Sequence, residues 1–373
     1  MRILAIGNCP LDRFLGSGKT RIEWSSGFRK RGHLVTTVDT KYLSKLIPKW
    51  MGSRLGLTIA ARRFIASINP LDYDIIEFFG GEFWWATRYL GQQVHRPMII
   101  AHTDGLELLA HERLTAAGVL ETGRLERWLP FLDLHQLERQ AFTYADRFVT
   151  GCQLDLEYVL NHGIFNSKDA VVVPVGIEGE YLARIFHQER ENKIVYFGSW
   201  TKRKGLNHLV DVTTEILRQH PNWNFLILGA FNQVTDIKDI YPADVWPQIE
   251  IAPKLEITEV AHQLDRCKIL FFPSEYEGFG MAIAEAMGCG CTAVVTPTGF
   301  GGDLENERNA LICNFGDQDA MKIALNRLIE NEELRERIGR SGYDSVQHLY
   351  WSKSVDRLEE IYTNWLQEWE VNQ

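Results

Sequence analysis

Short apolar runs alternate with helix-period stripes along nearly the whole chain, and the alternation runs through twice. In the first round Arg2–Ile6, Leu34–Asp39, Tyr73–Phe79, Pro97–His102, Arg147–Gly151 and Ala170–Pro174 read as strands, while Thr20–Arg31, closed by Gly32, and Leu134–Tyr144 read as helices. A polar stretch from Gly179 to Asn192 interrupts the pattern. It then restarts: Lys193–Phe197, Asn224–Leu228, Lys268–Phe272 and Thr292–Thr296 as strands, Leu206–Leu217, Phe279–Met287, Gln318–Glu330 and Glu333–Val346 as helices. Strand–helix alternation implies parallel sheets covered by helices. Two rounds in 373 residues predict two Rossmann-like α/β domains, 1–185 and 186–348. An amphipathic helix over 349–373 follows, carrying Leu358, Ile361, Tyr362 and Trp365. In open α/β sheets ligands gather at the carboxyl ends of the strands, so the loops after the strands are the place to look for chemistry.

Charge and composition narrow the classes. The net charge of −9 lacks the basic footprint of a nucleic-acid binder. Six cysteines sit scattered in apolar surroundings without zinc-ligand spacing, which reads as reduced, buried thiols. No window approaches the roughly 20 apolar residues of a membrane helix. The opening apolar run is short and soon meets Asp12 and Arg13, unlike a signal peptide. A cytoplasmic protein is expected.

Four loops carry candidate chemistry. The densest is Pro273-Ser-Glu-Tyr-Glu277-Gly-Phe-Gly280-Met-Ala-Ile-Ala-Glu285, after a strand and opening a helix. Its glycines let backbone approach a ligand, and a helix start offers free N–H groups and positive potential to a phosphate. Glu277 before the helix and Glu285 two turns in are double acceptors, suited to vicinal sugar hydroxyls. Phe197-Gly-Ser199-Trp-Thr-Lys202-Arg203-Lys204-Gly205 puts cations at the same sheet edge. Thr296-Pro-Thr-Gly-Phe-Gly-Gly302 supplies a third, glycine-rich turn. In the first loop, Leu15-Gly16-Ser-Gly18-Lys19-Thr20 suggests a P-loop, but Arg13 stands where that motif needs glycine, and the triphosphatase reading fails.

Together these segments resemble the retaining glycosyltransferases of the GT-B fold, glycosyltransferase family four, whose hallmark is two glutamates separated by seven residues, as in Glu277…Glu285. Gly198…Lys204-Gly205, Pro273-Ser274, the Gly301-Gly302 turn, Gly32-His33 and Tyr144-Ala-Asp146 also match. The resemblance implies two Rossmann-like domains facing across a cleft, with the last helix crossing back to the first. It implies a nucleotide-sugar donor, a sugar, glycan or lipid-linked acceptor, and no bound metal or other cofactor. Residue by residue, it places Glu277 on the donor sugar, Glu285 on the ribose, and Phe279, Gly280 and Met281 at the sugar and phosphate. Lys204 neutralises the diphosphate, and Gly16 or Gly18 approaches it from the first domain. Retention of configuration is implied in the same way.

The chain departs from the family at three places. Ser199 replaces an arginine, with Lys202 or Arg203 left to supply the charge. Asp104 stands in place of a histidine, and strand alternation would point His102 the same way, so either could orient the acceptor. Pro174-Val175-Gly176 replaces Pro-Asn-Gly. The donor base would lie near Ile251–Leu255. From Lys41 to Arg63 six basic residues and no acidic one interleave with Leu43, Leu46, Ile47, Trp50, Met51 and Leu55. That segment could rest peripherally on an anionic membrane face, or simply pack on the first domain. Alternatives in function are another GT-B enzyme, an epimerase or a phosphorylase, and a non-catalytic sugar-binding scaffold.

Overall fold

The computed structural model describes residues 1–48, 53–119, 134–187, 189–230 and 234–371. Two units emerge. Unit 1 takes Met1–Glu112, Leu120–Gly176 and Trp351–Gln373; unit 2 takes Arg113–Val119 and Ile177–Tyr350.

In unit 1 six parallel strands form one sheet: β1 (Arg2–Gly7), β2 (Leu34–Val38), β3 (Ile75–Phe79), β4 (Met98–His102), β5 (Arg147–Thr150) and β6 (Ala170–Val172), in the order β2-β1-β3-β4-β5-β6. β3 and β4 are buried along their whole length, which is why they read as near-continuous apolar runs, interrupted by Glu77 in β3 and ended by His102 in β4. Helices α1 (Gly16–Lys30), α2 (Ser53–Ser67), α3 (Trp84–Gly91), α4 (Glu107–Ala116), α5 (Leu134–Thr143) and α6 (Gln153–Asn161) connect them. Leu4, Ile6, Ile76 and Ile99 of the sheet meet Ala60, Ala61, Phe64 and Ile65 of α2 in one core.

In unit 2 the strands are β7 (Glu191–Phe197), β8 (Asn224–Leu228), β9 (Ile249–Ile251), β10 (Cys267–Phe272), β11 (Thr292–Val295) and β12 (Leu311–Ile312). They too are all parallel, in the order β12-β11-β10-β7-β8-β9. The longer helices are α7 (Leu206–Gln219), α8 (Ile257–Asp265), α9 (Met281–Gly288), α10 (Gln318–Glu330) and α11 (Glu332–Val346), beside the short Gly179–Leu182 and Val234–Ile240. Side-chain caps set two starts: Asp317 accepts from the Ala320 N–H, and Asn331, which closes α10, accepts from Leu334 at the head of α11.

Helix α12 (Trp351–Val371) belongs to unit 1 and docks on α1. Trp24 Nε1 donates to Ser354 Oγ at 2.8 Å, Phe28 stacks on Tyr362 at 5.6 Å, and Arg31 pairs with Asp356 and Glu359.

The strand orders locate the switch points. β7 runs on to β8 and β9 on one side, and the chain then returns to place β10 on the other. The crevice at the carboxyl ends of β7 and β10 is therefore the expected ligand position in unit 2. β1 and β3 make the same break in unit 1.

Candidate functional site

The loops that leave β7, β10 and β11 meet at the unit 2 switch point. After β7, the Gly198 N–H bonds Leu228 O at 2.9 Å. The chain then makes a single 3₁₀ turn, Lys202–Lys204, ended by Gly205 at φ +73°. A Cβ at position 205 would sit 2.0 Å from Pro273 O, so both the left-handed backbone and the close approach require glycine. The Glu275 N–H bonds Arg203 O at 2.9 Å, joining the β7 and β10 loops. The Glu277 N–H bonds Thr298 Oγ1 at 2.8 Å, and the Phe300 N–H bonds Phe279 O, joining the β10 and β11 loops. Gly280, at φ +83°, is the residue before α9, a conformation that costs other residues roughly 1–2 kcal/mol.

Glu277 lies at the centre, 5% exposed. Lys204 Nζ donates to its two oxygens at 2.6 and 2.8 Å, and Ser274 Oγ donates to Oε1 at 2.5 Å. Burial pushes its carboxyl upward, but the charges of Lys204 and Arg203 and these hydrogen bonds outweigh burial and hold it below the usual carboxylate range. Tyr196, stacked on Phe272 beneath the site, donates to Ser199 O, and its phenol is raised by burial and by the charge of Glu277. Glu285 is buried in α9, facing Tyr181, whose hydroxyl is pushed up by burial and then by the Glu285 charge. Ser199 and Arg203 are exposed, and Arg203 acts on Glu277 through its charge. Phe279 is buried against Phe300, with ring centroids 5.4 Å apart, so its side chain is packing and its backbone faces the turn. Met281 opens α9.

In unit 1 the first loop and the β4 loop converge. Ser17 hydrogen-bonds Asp104. Asp104 is open to solvent but crowded on its inner side, and that crowding lifts its carboxyl against the charges of Arg21 and His102 and the Ser17 bond. Gly16 is the exposed first residue of α1, four positions before the expected start. Gly18 is buried, and a Cβ there would meet the carbonyls of Asp12 and Pro10 at 2.6 and 2.7 Å. Across the β1–β3 break, Asn8 Nδ2 donates to the buried Glu82 Oε2 at 3.1 Å. This pair escaped the sequence reading, although Gly80-Gly81 directly after a strand marked the spot.

His102 packs into the core of unit 1. It ends β4 and is 2% exposed, its ring stacked on Phe79 at 4.2 Å. Its Nε2 lies 2.7 Å from Tyr362 Oη, and Tyr362 donates to the buried Glu77. The strand stops at this residue, so alternation does not carry over to Asp104, and helix α12 claims the imidazole. The imidazole is thus held in the unit 1 core.

The basic segment divides. Leu43 is fully buried in the unit 1 core, Leu46 and Ile47 pack against it, and Arg62 lies over the Tyr89 ring at 3.4 Å. Lys41, Lys45, Leu55 and Arg63 are exposed. Lys49, Trp50 and Met51 lie outside the described residues. No described helix is long and apolar enough to cross a membrane. A cavity of about 340 Å³ at the amino end of β5, lined by Phe142, Ile164, Phe165, Asp146 and Asp169, holds no residue of the four candidate loops. Its two carboxylates already pair with Arg96 and Arg147.

Comparison with known proteins agrees with this geometry. Residues 178–345 match the model of the family described as glycosyl transferases group 1. An uncharacterized glycosyltransferase of Methanocaldococcus jannaschii is 27% identical over 208 residues, 55% of this chain and 57% of that one. The chain spans about half the length of the curated relatives it matches. Sucrose-phosphate synthase from Thermosynechococcus elongatus superposes with a TM-score of 0.75 at 14% identity, over 99% of this chain and 100% of that one. Anabaena HepE, solved with UDP-glucose, superposes with a TM-score of 0.71 at 13% identity, over 98% and 100%. The family match thus covers residues 178–345, all within unit 2, and the likeness to the solved structures shows the GT-B fold for the chain.

Proposed function

We propose that the chain is a retaining glycosyltransferase that moves a sugar from a nucleoside-diphosphate donor, bound at the β7–β10 crevice of unit 2, to a hydroxyl of a sugar, glycan or lipid-linked acceptor recognised by unit 1. One observation carries the reading. A buried, ionised carboxylate and a lysine are held together at the amino end of α9, where free helix N–H groups suit a diphosphate. HepE, of the same fold, holds UDP-glucose.

Three donor hydrogens already occupy Glu277. An incoming diphosphate competes for Lys204 and frees a Glu277 oxygen for a sugar hydroxyl. Glu285 takes the ribose hydroxyls, and the backbone N–H groups of Gly280 and Met281 take phosphate oxygens. We favour attack of the acceptor hydroxyl on the face the diphosphate leaves. The bond from the anomeric carbon to the diphosphate breaks, the bond to the acceptor oxygen forms, and the hydroxyl proton passes to the departing diphosphate. Lys204 and the α9 terminus stabilise the charge that develops there. Asp104, with Ser17, orients the acceptor. Contact of exposed Lys41, Lys45 and Arg63 with an anionic lipid surface is compatible with a lipid-linked acceptor, although Leu43, Leu46 and Ile47 are engaged in the core.

A thermal-shift series with UDP, GDP, ADP and CMP tests the donor reading. One diphosphate should raise the melting temperature and the monophosphate should not. If no diphosphate shifts it, the reading fails.

A further inference from the structure

Glu275 is a second buried carboxylate in the same loop, 4% exposed, and nothing in the donor chemistry above uses it. Its partner is His208, in the first turn of α7, with Nε2 3.1 Å from Glu275 Oε1. We propose that His208 and Glu275 are a positioning pair for the donor site, an ion pair that fixes the Lys202–Lys204 turn against the Pro273–Glu277 segment and thereby sets how tightly a nucleoside diphosphate is held. The proposal rests on the donor reading of this site.

The route from the pair to Lys204 is short. His208 sits on the helix that the Lys202–Lys204 turn feeds, separated from it by Gly205. Glu275 donates its own N–H to Arg203 O, the carbonyl just before Lys204. Ser274, next in the chain, donates to Glu277. Gly205 presses its backbone against Pro273 O. The side-chain pair therefore closes a ring whose other links are backbone contacts, with Lys204 on it and Glu277 two residues past Glu275.

The groups that bear on His208 come from three elements: Glu275 from the β10 loop, Asp211 from α7 itself, and Gln318 from α10. Gln318 Nε2 lies 3.1 Å from His208 Nδ1 and donates to Asp211 at 3.1 Å. The Glu275 bond raises the imidazole above its ordinary value against burial, with Glu275 and Asp211 charges adding to it. A raised histidine pKa means the pair is fully formed below the unfolded value of about 6.5 and is lost as pH climbs through the folded value. Donor affinity should follow.

The test uses calorimetric binding of UDP, GDP and ADP at pH 6 and pH 9 to wild type and His208→Gln. With the diphosphate that binds, the variant should bind about 10-fold more weakly at pH 6, equivalent to one decade in Kd. The ratio should approach one at pH 9, where wild type has also lost the charge. Titration of the nucleotide itself cancels in the ratio. A ratio equal at both pH values overturns the proposal, because general damage to the loop would produce that. Two readouts need no ligand. In Glu275→Gln the His208 titration seen by NMR should fall toward the ordinary histidine value, and the Glu275 and Glu277 amides should exchange faster in His208→Gln at pH 6. If no diphosphate binds wild type, the donor reading fails. Unchanged exchange and an unchanged His208 titration would sink the positioning pair independently.

Discussion

Replacing Lys204 by methionine separates what the Lys204–Glu277 pair does for the fold from what it does for catalysis. Lys204 is 11% and Glu277 6% exposed at the side chain, so solvent screens their attraction little. Without the lysine, Glu277 keeps Ser274 and the more distant charge of Arg203. Removing one partner of a buried pair costs about 3 kcal/mol or more, because the other charge is left buried. For a unit of this size each 1 kcal/mol shifts Tm by roughly 2–4 °C, so the unit 2 transition should fall by roughly 6–12 °C. Glu277→Gln added to Lys204→Met removes the stranded charge and should recover at least half of that loss. The single variant should also narrow its deficit as pH drops, since protonating Glu277 relieves it. Turnover should behave otherwise. One positive charge at the developing diphosphate is worth on the order of 10²–10³ in kcat, and the double variant should not regain it. Scanning calorimetry with steady-state rates reads both quantities. A single variant that melts with wild type, or a double variant no more stable than the single, would refute the stranded-charge reasoning. A single variant with intact kcat would refute Lys204's role at the diphosphate.

Further outcomes follow from the same geometry. Gly205→Ala meets both a left-handed backbone and the Pro273 carbonyl, so it should cost about 1–2 kcal/mol of strain or more and weaken diphosphate binding; calorimetry checks both, and a neutral variant would show that the loops can part. Tyr362→Phe removes the donor to buried Glu77 and should lower unit 1 stability by about 1–3 kcal/mol while donor affinity stays within twofold of wild type. Asp104→Asn should slow sugar transfer without changing diphosphate affinity in calorimetry; a parallel loss of affinity would move Asp104 out of its acceptor role. Below about pH 4.3, the unfolded glutamate value, the depressed Glu277 carboxyl should make stability fall as pH falls through its folded value. That slope should be absent in Glu277→Gln.

What could be read from the chain depended on whether the signal was local. β8 was placed residue for residue, because both faces of a central strand are covered and the run Asn224–Leu228 stands out by itself. The edge strands β9 and β12, three and two residues long, left no run to see. Helix α2 was missed because Pro48 and Gly52 read as breakers. It begins at Ser53, just past them, and Ala60, Ala61, Phe64 and Ile65 bury its inner face. At Gly280 the glycine that suggested ligand approach proved to be the left-handed residue before α9, so the helix starts at Met281. Glu277 and Lys204 could be named from sequence, each by its motif. That they bind each other is a fact of β7 and β10 lying side by side. The same holds for His208 with Glu275 and Asn8 with Glu82, pairs made by neighbouring strand ends with no local signature. The burial of His102 had no local signature either, because what covers it, Tyr362, lies 260 residues away.

The central claim is that unit 2 activates a nucleotide sugar through Glu277 and Lys204. It is tested most directly by incubating wild type and Lys204→Ala with a panel of UDP-, GDP- and ADP-sugars, measuring diphosphate release and the anomeric configuration of the first-formed product by NMR. We expect wild type to release the diphosphate from at least one donor with the configuration kept, and Lys204→Ala to do so at least ~10²-fold more slowly. No release from any donor, an inverted product, or equal rates in the two proteins would contradict it.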